Sequence, residues 1–258
     1  MSEPPLLRRL RGTARACLLA MLVVVAASAF LRHHGANVAL QTAWASELAL
    51  MRLLHRVAAT AVLLGAAAMV WWAWKARRAA PNSDVPFVPA AALLGVALLL
   101  SVIGLAGGAS RAAPVVLVNL LGGLTMLALC ARLSRDQARA ALGRAAWVMC
   151  GLVLLQAAAG ALAGAQASAD CAAFLGCVPA AWLHRLAGVL LAFGLAMFGL
   201  WAAWRQGRRA GAAVALLGVA LLALGALAAA LGGTAPPWLV VLHNAAGALA
   251  LALLVREA

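Results

Sequence analysis

A chain of 258 residues that is 67% hydrophobic and 10% charged, with nine Trp and no Tyr, carries more apolar side chain than a soluble domain of that size can bury. Its formal net charge of +14 would suit a nucleic-acid partner, but the basic residues sit in small clusters between long apolar runs. That distribution excludes a nucleic-acid surface and makes a lipid bilayer the solvent.

Crossing the hydrocarbon core takes about 20 apolar residues per helix, with every backbone polar group satisfied inside the segment. The apolar runs predict helices at roughly 15–32, 53–74, 89–108, 114–131, 146–166, 181–204, 211–232 and 236–255. The expected fold class is therefore all-α integral membrane, with eight spans and loops too short to carry a soluble domain. The first run follows Arg8, Arg9, Arg11 and Arg15 and ends near Ala27-Ser28-Ala29, the pattern of a cleavable signal peptide. A retained first span is expected instead, because the internal repeat needs it.

With the N-terminus in the cytoplasm, fifteen of the twenty basic residues fall on cytoplasmic segments. Only Arg32, Arg52, Arg56, Arg111 and Arg185 fall outside. This is the positive-inside bias, and with an even number of spans it puts both termini in the cytoplasm. Lys75 is the sole lysine, and Ala and Arg dominate, a composition that suggests a GC-rich bacterial genome and hence the bacterial plasma (inner) membrane.

In the second span Leu54-His55-Arg56-Val57-Ala58 matches Leu183-His184-Arg185-Leu186-Ala187 of the sixth, 129 residues later. Each span runs to a Trp-rich end, Trp71, Trp72 and Trp74 against Trp201 and Trp204. In the fourth span Val118-Asn119 aligns with Leu242-His243 of the eighth, which also puts Gly123 on Gly247 and Arg132 on Arg256. The chain thus reads as two four-helix halves, 1–135 and 136–258, related by an axis along the membrane normal.

Ionisable residues inside a span are costly and mark function by default. His184 and His243 both fall in the outer leaflet, and neutral imidazoles on two facing helices can hold a heme iron from opposite sides. His55 is the first-half equivalent of His184. The plainer reading of each histidine is an interhelical hydrogen bond; the equivalence of His55 with His184 and the depth of His243 favour heme. Arg56 and Arg185 stand where heme propionates would meet the headgroups, or where ordinary interfacial anchors belong. His33 and His34 read as an exposed loop pair. Glu47, eight residues before His55, reaches the same face only if the second helix extends outward; it is a weak candidate acid.

Cys171 and Cys177 bracket a short outer loop, in a compartment that permits disulfides. A disulfide or redox-active pair is expected there over two free thiols, while Cys17, Cys130 and Cys150 read as packing residues. The six acids fall in loops, termini or helix ends, which argues against a proton- or sodium-coupled carrier.

Taken together, His55-Arg56, His184-Arg185, His243 and the loop pair Cys171 and Cys177, which follows Gln156 and the run Gly160 to Gly164, resemble the heme A synthase family. Its members oxidise a methyl of heme O to the formyl of heme A, in support of cytochrome oxidase assembly. The resemblance covers essentially the whole chain. It implies His184 and His243 as axial ligands of a heme b, an outer Cys171–Cys177 disulfide, and heme O as substrate near His55 and Asn119. The implied partners are heme O synthase, cytochrome oxidase assembly proteins and membrane lipid. The family pattern has a glutamate three residues before its first His and a second His in the fourth span, where this chain has Arg52 and Asn119. The first outer loop also lacks the cysteine pair of many relatives. A heme-binding electron carrier or heme-handling assembly factor that keeps only the second-half site is the alternative.

Overall fold

The computed structural model describes residues 4–35, 45–81, 84–107, 112–135, 143–165, 177–207, 209–231 and 235–258. These form eight helices: α1 (Pro5–Gly35), α2 (Ala45–Ala79), α3 (Phe87–Gly107), α4 (Ala113–Leu133), α5 (Arg144–Ala165), α6 (Cys177–Gln206), α7 (Arg209–Leu231) and α8 (Pro237–Glu257). Each is long and apolar enough to cross a membrane, and no strand occurs among the described residues. The chain is a multi-pass, all-helical membrane protein. Large apolar side chains line its exterior, with Leu105 91% and Leu190 74% exposed, which only lipid contact makes favourable.

Two helices outrun their apolar segments. The 35 residues of α2 extend about 52 Å at 1.5 Å per residue, well beyond a hydrocarbon core of about 30 Å. The ten residues that α1 adds before the expected span are amphipathic: Leu10 and Ala14 are buried, while Arg8 and Arg9 stay exposed. A helix can continue into the interface in this way, its arginines reaching toward the headgroups. Apolarity alone marks the membrane-crossing part of a helix and misses such extensions.

The helix contacts form two rings. In the first, α1 packs on α2, α2 on α3, α3 on α4 and α4 on α1; in the second, α5, α6, α7 and α8 repeat this cycle. The rings meet through α1 with α8, α4 with α5, and α4 with α8. Exchanging the halves maps α1·α8 onto α5·α4 and α4·α8 onto itself, the contact set expected of a parallel duplication.

Packing within the rings rests on small residues and not on hydrophobic expulsion from water, because lipid is as apolar as the core. The buried stripe Leu10, Ala14, Cys17, Met21 and Val25 of α1 recurs at three- and four-residue spacing, one face of a helix. Its Cys17 Sγ presses on Gly65 of α2. The tightest approach is between α6 and α7: a Cβ at Gly211 would stand 2.6 Å from the Ala203 nitrogen and 2.7 Å from the Gly199 carbonyl oxygen. There the two backbones touch, and only glycine permits it.

At the end of the bundle that carries both termini, basic side chains cover tryptophans. Arg78 stands 4.1 Å from the Trp74 ring centre, Lys75 4.8 Å from Trp71, and Arg132 of α4 5.6 Å from Trp147 of α5. Amphipathic rings with cations over their faces are suited to the headgroup level. The histidines lie toward the opposite end.

Candidate heme-binding site

His184 enters from the first half of α6 and His243 from the second turn of α8, helices that stand diagonally across the second ring. Their imidazoles meet inside it, ring centres 6.3 Å apart and planes inclined at 77°. Two neighbours make room. A Cβ at Gly160 of α5 would lie 2.7 Å from His184 Cε1 and 3.0 Å from its Nδ1, and a Cβ at Gly225 of α7 would lie 3.6 Å from His243 Cε1. The four helices of the second ring thus each contribute to the site: two histidines on one diagonal, two glycines on the other.

His184 is held by Gln156, one turn before Gly160 on α5. The Gln156 amide donates to the His184 carbonyl oxygen at 2.6 Å, and its Nε2 lies 2.9 Å from His184 Nδ1. The main-chain oxygen of Gln156 lies 3.1 Å from the same Nδ1. Nδ1 thus has a donor, the Gln156 amide, and an acceptor, the Gln156 main-chain oxygen, both within reach, and the Nδ1–H tautomer donates to the second. That tautomer leaves the Nε2 lone pair free, and a backbone carbonyl behind the distal nitrogen is the usual outer partner of a metal-binding histidine. His243 has no such anchor: its Nδ1 is buried and without a hydrogen-bond partner among the described residues.

In the first ring, Ser28 of α1 places its Oγ 3.1 Å from Nδ1 of His55 on α2. Ser28 does for His55 what Gln156 does for His184, from the preceding helix at almost the same sequence distance. Asn119 is half-buried on α4, and no hydrogen bond joins it to His55 among the described residues. In the 129-residue register Gly160 corresponds to Leu31, so the first ring lacks the glycine cradle of the second. Arg56 and Arg185 are exposed beside their histidines. Glu47 does lie on α2, as the long helix allows, but accepts a hydrogen bond from the Ser46 hydroxyl at 2.7 Å and stands eight residues from His55, about 12 Å along the axis.

The expected Cys171–Cys177 disulfide lies outside the described residues, as does the His34 side chain. Cys17, Cys130 and Cys150 are buried free thiols, as packing residues should be. Two grooves of about 310 and 480 Å³ lie beside Trp74 and Phe87, at the far end of α2 from His55, and neither is lined by histidine.

No cluster of three or more His, Cys, Asp or Glu occurs among the described residues, so the donor set is a pair. A pair suits an iron that already has four porphyrin nitrogens. Two imidazoles bonded to one metal at about 2 Å have ring centres about 6 Å apart, close to the 6.3 Å found. The buried His243 nitrogen, unpartnered among the described residues, the glycine beside each ring and the His184 ring anchored on Gln156 all fit a heme. No family model matches the chain, and no curated protein matches it.

Proposed function

We propose that the chain is a heme-holding membrane protein of the heme A synthase type, carrying a heme b between His184 and His243 and acting on heme O in its first half. The observation that supports this most is the approach of those two imidazoles across the diagonal of the second ring, with Gly160 and Gly225 leaving space beside them. Each residue then has a task. His184 and His243 would hold the heme iron, Gln156 would orient the His184 ring, and Arg185 would meet a propionate at the headgroup level. In the first ring His55, oriented by Ser28, and Asn119 face the substrate heme, with the exposed Arg56 beside it at the headgroup level. Glu47 is the nearest acid on the same helix and the candidate proton acceptor. The iron with its oxidant supplies C–H oxidation when bound; the protein supplies position, ligation and a dry site. The basic clusters and Trp belt at the terminal-bearing end support a bacterial inner membrane orientation with both termini in the cytoplasm. Such a protein would work beside heme O synthase and cytochrome oxidase assembly proteins.

A second reading, a b-type electron carrier or assembly factor without oxidation chemistry, is favoured by specific departures in the first ring: Arg52, Asn119, and Leu31 opposite Gly160 in register. The two are separated by expressing the protein with a heme O supply and taking the pyridine-hemochrome spectrum of purified wild type, His55→Ala and His184→Ala. Heme A in wild type that disappears in His55→Ala supports the enzyme. Heme B alone, lost with His184→Ala, supports the carrier, and no heme in any preparation refutes both.

A further inference from the structure

The two rings differ in charge where they should be alike. In the second, the position equivalent to Arg32 is Ala161; in the first, Arg32 is half-buried near the end of α1. It lies four residues, one helical turn, beyond Ser28, whose hydroxyl touches His55, and so on the same face of α1. That face continues the buried stripe Ala14, Cys17, Met21 and Val25, which points at the ring and not at lipid. Arg32 lies near His55 and has no hydrogen bond or ion pair with any described residue. A guanidinium on the inward face at the end of a span, with no anionic partner among the described residues, is suited to bind one. Its planar fork matches a carboxylate, and partial burial strengthens such a pair over one in water.

We propose that Arg32 is the carboxylate-binding residue of the first ring, gripping a propionate of the porphyrin that His55 faces, whereas the exposed Arg56 is a headgroup anchor. The inference rests on the heme reading of the first ring. It also gives the halves a chemical difference: an extra half-buried cation where a ligand must be captured, none where a heme would be held by two histidines.

The test uses full-length protein in detergent carrying His184→Ala and His243→Ala, which leaves only the first-ring site, titrated with hemin and with hemin dimethyl ester. Hemin should bind, and Arg32→Leu should weaken it about tenfold or more, the scale of one hydrogen-bonded charge pair. Arg32→Lys should recover part of the loss, and the ester should bind weakly whether or not Arg32 is present. Unchanged hemin affinity in Arg32→Leu, or an ester that binds as tightly as hemin, overturns the proposal while leaving the heme reading intact. So does an Arg32→Leu variant that loses only titrated anionic phospholipid, since that makes the residue a lipid anchor. If Arg32→Leu does not fold, the hemin-to-ester ratio of the Arg32 protein decides alone. Hemin bound by wild type but not by the double-histidine background overturns the first-ring site, and hemin bound by neither removes the underlying reading.

Discussion

Adding one methyl group at Gly160 should damage the heme site, whereas the same change at Gly225 should not. A Cβ at Gly160 would stand 2.7 Å from His184 Cε1, roughly 1 Å inside the optimum carbon–carbon separation of about 3.5–4.0 Å. Three ring atoms crowd it, at 2.7, 3.0 and 3.4 Å, so rotation of the imidazole in place gives no relief. His184 would have to retreat, breaking the 3.1 Å contact of its Nδ1 with the Gln156 carbonyl. Overpacking costs about 1–3 kcal/mol and the lost hydrogen bond about 0.5–1.5. Gly160→Ala should therefore lower heme affinity at least tenfold and alter the ligation spectrum. At Gly225 the nearest ring atom would be 3.6 Å away, ordinary contact, and Gly225→Ala should bind heme within about threefold of wild type, allowing for the small effects usual at tolerant sites. The assay is hemin titration of both variants, followed in the Soret band, with size-exclusion profiles checking the fold. Wild-type affinity and spectrum in Gly160→Ala would refute the packing argument.

Other outcomes follow from the same geometry. His243→Leu should lose heme yet leave the heme-free protein as stable as wild type or more so, because it removes a buried nitrogen that has no partner and whose burial costs about 1–3 kcal/mol; lower stability in heme-free thermal unfolding would contradict this. Gln156→Leu should reduce heme affinity about 10- to 100-fold through loss of the His184 anchor, with helix content by circular dichroism unchanged. Gly211→Val should separate α6 from α7, since even a Cβ there meets the Ala203 and Gly199 backbone; aggregation or a large drop in thermal stability is expected, and a wild-type melting curve would refute that packing. Ser28→Ala should cost about 1 kcal/mol or less at His55, seen as a small weakening of hemin binding in the double-histidine background.

The membrane fold was legible because apolar runs of span length have no alternative in lipid; the repeat Leu54-His55-Arg56 against Leu183-His184-Arg185 was the signal for reading two halves. The full lengths of α1 and α2 were not, because their extensions are amphipathic and carry arginines. His55, His184 and His243 were legible as polar exceptions in apolar helices, but Ser28 was not assigned to His55 nor Gln156 to His184: a partner on a neighbouring helix depends on the register of an antiparallel pair, which packing sets. A signal for them did exist. Each is the polar residue 27 or 28 positions before its histidine, on the preceding span, where that span passes the same depth. Gly160 was visible only as part of a small-residue run, since nothing in the sequence tells a glycine that admits an imidazole from one that lets helices approach. Arg32 read as an outer-loop charge until the stripe ending in Ser28 placed it on the inward face.

The most direct test of the account is the optical and low-temperature EPR spectrum of purified ferric protein, wild type beside His184→Ala and His243→Ala. The account predicts a low-spin ferric heme with two imidazole ligands in the wild type, with that signal lost or converted to high spin in each single variant. An undiminished low-spin signal in either variant, or a wild type that takes up no heme, would contradict it.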